Sequence, residues 1–199
     1  MTRSPRSTWA LGALAVFFFA LLAVTGFGLL FGYRPAVEHA YLDVVDLRAA
    51  SALGFLRGLH HWGSHALVIV VWLHLLRVFL AGAYKPPRRA HWHLGVLLLV
   101  ATLALATTGT LLPWDQNGYW AVASRQPTPS SGAPAGVALD GATLRWAFAL
   151  HCGLLPAVTV ALVVVHLRRL RGDGEAPISA GEPVDDGAGD AAPGGAAGS

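Results

Sequence analysis

The chain has 199 residues, of which 54% are hydrophobic and 13% charged, with a formal net charge of +3. Soluble domains carry about 25% charged residues, so this composition excludes an ordinary soluble enzyme and points to a membrane protein. A single cysteine, Cys152, excludes a disulfide, a thiolate metal cluster and a C-x-x-C-H attachment site.

Residues 1–8 form a short amino-terminal segment, followed by an apolar run over 9–31. That run is longer than the ~7–15 residues of a signal-peptide core, and Gly26 to Phe31 continue it without a small-residue cleavage site, so it reads as a retained helix. The connection 32–58 is mildly amphipathic and is expected to hold a short surface helix. A second span covers 60–82, a tight turn with Pro86-Pro87 covers 83–91, and a third span covers 92–112. The longest connection, 113–143, gathers Pro127, Pro129, Ser130, Ser131, Gly132 and Pro134, the composition of a functional loop or of a flexible linker. A fourth span covers 144–167, and 172–199, rich in Gly, Ala, Asp and Pro, is expected to be disordered. Each span approaches the ~20 residues needed to cross a bilayer. The expected fold is an all-α membrane protein, a four-transmembrane-helix up-down-up-down bundle over 9–171.

Arg3, Arg6, Arg77, Lys85, Arg88, Arg89, Arg168, Arg169 and Arg171 fall at one end of these spans with no acid among them, whereas the other two loops mix five Arg with Glu38, Asp43, Asp46, Asp115 and Asp140. The positive-inside rule then places both termini in the cytoplasm, and the basic charge is a topology signal that does not call for nucleic acid.

Within the spans, His60 and His74 are 14 residues apart, and His151 and His166 are 15 apart. Either gap rises roughly 21–23 Å along a helix, which puts one histidine near each side of a bilayer. Fourteen residues turn within ~40° of four whole turns and fifteen overshoot by ~60°, so each pair shares a face. Two such helices side by side offer two facing His–His pairs at two depths, the ligand set for two non-covalent b haems stacked across a membrane. Interhelical hydrogen bonds are the bland alternative for any single histidine. Glycines repeat the spacing: Gly12 and Gly26 on the first span and Gly95 and Gly109 on the third are each 14 apart. Lacking a side chain, they permit a flat group to approach the helix. Arg57 lies three residues before His60 and Arg77 three after His74; with Arg88, they are candidates for the haem propionates, although terminal cations also snorkel to the interface.

The third span closes on Pro113-Trp114-Asp115-Gln116 followed by Gly118-Tyr119-Trp120-Ala121. This run resembles the start of the quinol-site loop in cytochrome b of the bc1/b6f complexes. Arg57-x-x-His60-x-Trp62 through His74-x-x-Arg77 is similar to that family's second helix, and Thr25-Gly26-Phe27 with Tyr33-Arg34-Pro35 to its first; Leu150-His151 through Pro156 to His166 resembles the b6 form. The resemblance covers roughly residues 9–170. It implies that His60 and His151 ligate a low-potential haem near the outer side, and that His74 and His166 ligate a high-potential haem near the cytoplasmic side. It also implies a dihaem electron-transfer subunit of a quinol:cytochrome c oxidoreductase, not active alone, in a bacterial cytoplasmic membrane. Quinol would be oxidised outside, beside Trp114 and Tyr119, and quinone reduced inside, where His91 and His93 lie. The partners implied are membrane lipid, a carboxy-terminal cytochrome b subunit, a Rieske iron–sulfur protein and a c-type cytochrome, in a dimeric complex.

The chain departs from that pattern in places. No Pro-Glu-Trp-Tyr is present, so a separate subunit is expected to supply it. The loop after Ala121 is short and lacks a clear amphipathic helix. Phe18 stands where the b6 branch has a cysteine, so no covalent haem is expected. His61 and His65 neighbour a ligand and are candidates for a propionate or loop contact. The alternative function is a dihaem membrane anchor that passes electrons between quinone and another redox partner without bifurcation.

Overall fold

The computed structural model describes residues 5–49, 51–86, 89–123 and 140–174; the described residues are helical and contain no strand. Helix α1 runs Pro5–Leu29 and ends in a 3-10 turn, Leu30–Gly32. Its first residue is a proline, which suits a position where no backbone donor is needed. After an extended stretch come α2 (Ala40–Ala49), α3 (Ser51–Leu80), α4 (Arg89–Leu111), α5 (Gln116–Ala123), α6 (Gly141–Ala149) and α7 (Leu155–Gly174). A π-helical turn, Leu150–Leu154, joins α6 to α7 as one continuous rod. Helices α1, α3 and α4 and the α6–α7 rod are each long and apolar enough to cross a membrane. Their outer faces carry exposed Phe17, Phe27, Phe55, Trp72 and Trp146, an apolar surface that suits lipid and not water.

Three elements refine the sequence reading. Helix α3 starts at Ser51, well before the run at 60, because Ala52 to Leu56 are already apolar and Arg57 interrupts that run without breaking the helix; α2 packs against α3. The surface helix expected within 32–58 is α2. Helix α5 occupies part of the stretch read as loop, and α7 extends to Gly174. The Pro/Ser/Gly cluster of the long connection and the tail beyond 174 lie outside the described residues.

Helix α1 packs along α3, α4 along α7, and α3 against α4. Gly26 lies beside His60 and Gly12 beside His74, so α1 and α3 are antiparallel; Gly109 beside His151 and Gly95 beside His166 make α4 antiparallel to α7 in the same way. Helix α3 ends in a Schellman motif: Gly82, at φ +77°, donates to Phe79 O at 2.8 Å and Ala83 to Val78 O at 3.3 Å. Phe79 then stacks on Tyr84 and packs on Trp92, closing the turn into α4.

The opposite end is capped by short elements. Ala40, Val44 and Leu47 of α2 and Leu144 and Ala147 of α6 are buried there. The Tyr33 hydroxyl donates to Leu112 O at 2.6 Å, tying the end of α1 to the end of α4, and its ring stacks on Phe148. Burial pushes the Tyr33 phenol well above its ordinary value, so it stays a donor. Arg34 forks onto Asp43, with Nη2 to Oδ1 at 2.6 Å and Nε to Oδ2 at 3.1 Å, and its backbone N–H donates to Oδ2 at 2.8 Å. The hydrogen bonds from Arg34 hold the Asp43 carboxyl below the usual carboxylate range. Asp140 caps α6 by accepting from Ala142 N and Thr143 N, both at 3.0 Å.

Candidate functional site

The bundle brings the four spaced histidines together at two levels. At one level the His60 and His151 rings lie 6.2 Å apart between centroids, crossed at 76°. That separation would let both rings hold one haem iron between them.

Hydrogen bonding settles which nitrogen of each ring is available. With the Thr25 hydroxyl donating to Leu21 O at 2.9 Å, its oxygen accepts from His60 Nδ1–H, 3.0 Å away. Likewise the Thr108 hydroxyl donates to Ala104 O at 2.8 Å, and His151 Nδ1–H donates to Leu105 O at 2.9 Å with Thr108 Oγ1 at 3.2 Å. Both rings therefore carry the proton on Nδ1 and leave the Nε2 lone pair free. This is the tautomer a metal ligand needs, and donation from the other nitrogen fixes its orientation and raises its basicity.

The glycines lie against these rings. A Cβ at Gly26 would come within 3.0 Å of His60 Cε1, and one at Gly109 within 2.7 Å of His151 Cε1. At the other level a Cβ at Gly12 would be 3.3 Å from His74 Cε1, and one at Gly95 4.0 Å from His166 Cε1. The glycine spacing in the sequence thus matches the spacing of the histidines across each helix pair. His74 and His166 are near enough to interact electrostatically. His166 Nδ1 is buried without a hydrogen bond, and its ring lies against His91, centroids 4.0 Å apart at 32°. At the His60/His151 level the ring separation, the Nδ1 hydrogen bonds and the side-chain-free cradle fit a haem held by two histidines.

The 15-residue spacing of the second pair has a local cause. His151 sits inside the π-helical turn, where Leu155 N–H bonds to Leu150 O, an i to i−5 bond. A π turn absorbs one extra residue, so His151 and His166 keep the phase of the 14-residue pair and the ~60° overshoot expected from the sequence disappears. Pro156 follows directly: its ring would collide with the Cys152 carbonyl in a regular helix, and the widened turn moves that carbonyl aside.

Other residues singled out by sequence fall in different places. Arg57 is half-buried in α3, within electrostatic range of Asp115. Arg77 is half-buried near the end of α3, and Arg88 lies outside the described residues. Trp114 and Tyr119 line a cleft of about 370 Å³ with Tyr41, Asp115 and Gln116 at the capped end. Pro113 ends α4, Asp115 Oδ1 accepts from Gly118 N at 3.0 Å to start α5, and Trp114 between them takes φ +51°, a costly conformation for a bulky residue. His93 is exposed. His61 and His65 are exposed as well, their rings edge to face with centroids 4.9 Å apart, and His65 Nδ1–H donates to His61 O at 2.8 Å; they are not part of the His60 ring pair. Thr25, Thr108 and the Leu105 carbonyl are the functional groups that spacing did not reveal. The signal was there in Thr25-Gly26 and Thr108-Gly109, each threonine preceding a glycine of the repeat.

Comparison with known proteins agrees with this geometry. The family model for cytochrome b/b6/petB matches residues 2–174. Cytochrome b6 of Mesostigma viride is 34% identical over 177 residues, 83% of this chain and 82% of that protein. Among solved structures, a chain of a hyperthermophilic respiratory Complex III superposes with a TM-score of 0.76 at 25% identity, over 88% of this chain and 52% of that one. With the helices, the histidine pairs and these matches in agreement, the chain belongs to the cytochrome b/b6 family.

Proposed function

We propose that this chain is the dihaem cytochrome b subunit of a bc1/b6f-type quinol:cytochrome c oxidoreductase, carrying electrons across the membrane between an outer quinol-oxidation site and an inner quinone-reduction site. The observation that carries the reading is the His60–His151 pair, 6.2 Å apart with both Nδ1 atoms tied back to the protein. Haem b supplies reversible one-electron chemistry when bound.

His60 and His151 would hold the low-potential haem, and His74 and His166 the high-potential one. The protein's own part is to fix the imidazole tautomers through Thr25, Thr108 and Leu105, to bring helix backbone up to the rings at Gly12, Gly26, Gly95 and Gly109, and to keep water away by helix packing. Arg57 and Arg77, with Arg88, would pair with the propionates. The cleft of Trp114 and Tyr119 is the candidate for the quinol ring, and His93 with His91 marks the end where quinone would be reduced.

The distribution of Lys and Arg supports cytoplasmic termini, in the cytoplasmic membrane of a bacterium. The partners proposed are a carboxy-terminal cytochrome b subunit, a Rieske protein and a c-type cytochrome, in a dimeric complex; the chain spans 52% of the solved Complex III chain.

Haem content per purified chain, followed by a redox titration, tests the assignment. Two non-covalent b haems with separated midpoints are expected; one or none in folded protein would overturn it. An oxidant pulse in the presence of quinol then separates the two functions. Transient reduction of the b haems is expected of a bifurcating complex, and its absence would favour a dihaem membrane anchor.

A further inference from the structure

The two histidine levels are built on the same frame but restrained differently. On α4, Leu105 and Gly109 flank His151, and His91 and Gly95, each 14 residues earlier, flank His166. Residues four apart lie on one helix face, so in both cases a glycine lets the ring in and the residue one turn earlier borders it. At the His151 level that residue contributes its carbonyl, which accepts from Nδ1 at 2.9 Å. At the His166 level the contact is instead the side chain of His91, 4.0 Å away and tilted by 32°, while His166 Nδ1 has no hydrogen bond. The threonine that precedes the glycine at the first level is replaced by Leu94 at the second, so no hydroxyl stands there.

We propose that His91 is a positioning residue for His166: its ring stacks on the ligating imidazole, sets that ring's orientation about the iron in place of the missing Nδ1 hydrogen bond, and shields this level from water. The inference rests on the dihaem reading. A ligand ring held by a stacked neighbour has its plane fixed without gaining the basicity that a hydrogen-bonded Nδ1 gives, so the two haems would differ in ligand field through the protein's second layer of contacts alone. Removing the ring would admit water, which favours the more highly charged oxidised iron and lowers the midpoint.

The test uses the complex containing the full chain, first counted for haem, then with His91→Ala and His91→Phe substituted. The readouts are the low-spin electron paramagnetic resonance signal of each oxidised haem and its midpoint potential. Fewer than two haems in the unsubstituted protein would remove the dihaem reading itself. With two haems present, His91→Ala is expected to shift the resonance and lower the midpoint of the His74/His166 haem alone, or to lose that haem alone. His91→Phe, which keeps a ring without nitrogen, is expected to stay close to the unsubstituted protein. An unchanged or raised midpoint in His91→Ala, or an equal shift of both haems, would overturn the proposal. Loss of the haem in His91→Phe would overturn it too, because a nitrogen and not a stacked ring would then be required. If His91→Ala does not assemble, the His91→Phe result decides.

Discussion

The His60/His151 level and the His74/His166 level differ in two residues of the same short motif. Around His60 and His151 the helix cradles read Thr25-Gly26 and Thr108-Gly109; around His74 and His166 they read Leu11-Gly12 and Leu94-Gly95. In all four the glycine brings backbone up to the imidazole. Only the first two add a hydroxyl that has spent its own proton on a backbone carbonyl and can therefore accept from Nδ1. One level thus has threonine hydroxyls beside its rings, and the other has leucines in their place. A 14-residue repeat fixes where the rings stand, and the residue before each glycine decides how they are held.

The largest effect that would break this comparison is loss of a ligand. His151→Ala should leave one haem per chain, retaining the His74/His166 site, as read by pyridine haemochrome and by the surviving midpoint; loss of both haems would mean that the two levels are not independent. Next comes overcrowding of the cradles. Gly109→Ala places a Cβ 2.7 Å from His151, whose ring is anchored by hydrogen bonds, whereas Gly95→Ala places one 4.0 Å from His166, an ordinary contact. Gly109→Ala should therefore cost most of the haem at its level, and Gly95→Ala should bind both haems; equal occupancy in the two variants would contradict the cradle argument. Haem-loss rates of the detergent-purified proteins measure the difference.

Removing the hydroxyls sharpens the contrast further. Thr25→Val deprives His60 of the acceptor at 3.0 Å, while Thr108→Val leaves His151 its bond to Leu105 O at 2.9 Å. Lost second-layer hydrogen bonds weaken a metal site by about 10–100-fold. Thr25→Val should show such a weakening and a shifted midpoint for its haem, Thr108→Val a smaller one, and neither should move the His74/His166 midpoint in a potentiometric titration.

The smallest effect concerns the cap over the His60 level. Asp43 is 5% exposed and accepts three hydrogen bonds from Arg34, itself 63% exposed. Asp43→Asn should cost about 2 kcal/mol or less, since an exposed partner is screened. The folded carboxyl is held below its unfolded value of about 3.9, so its contribution is full above that pH and is lost as pH falls through the folded value. The gap in thermal midpoint between the native protein and Asp43→Asn should hold from neutral pH down to about 5 and close at lower pH. A gap that did not narrow at all as pH falls below about 3.9 would mean that packing, not the ion pair, anchors α2.

By itself the amino-acid sequence determined the four spans and the two histidine pairs with their matching glycines. A helix crossing a membrane must be continuously apolar, and equal residue spacings on a regular helix become equal depths whatever packs against it. Its reading stopped where a contact joins distant parts of the chain or where the helix is not regular. The Thr25 and Thr108 bonds reach across 35 and 43 residues, and the tie from His151 to Leu105 across 46, so no local pattern marks them. The π turn at Leu150–Leu154 leaves no mark in a pattern of period 3.6, and the α3 start at Ser51 leaves none because Arg57 interrupts the apolar run without interrupting the helix. Only the tertiary structure decided the tautomers of His60 and His151 and the placement of His91 on His166. Both depend on which neighbour faces a ring once four helices have packed, and that choice belongs to the bundle and not to any one segment.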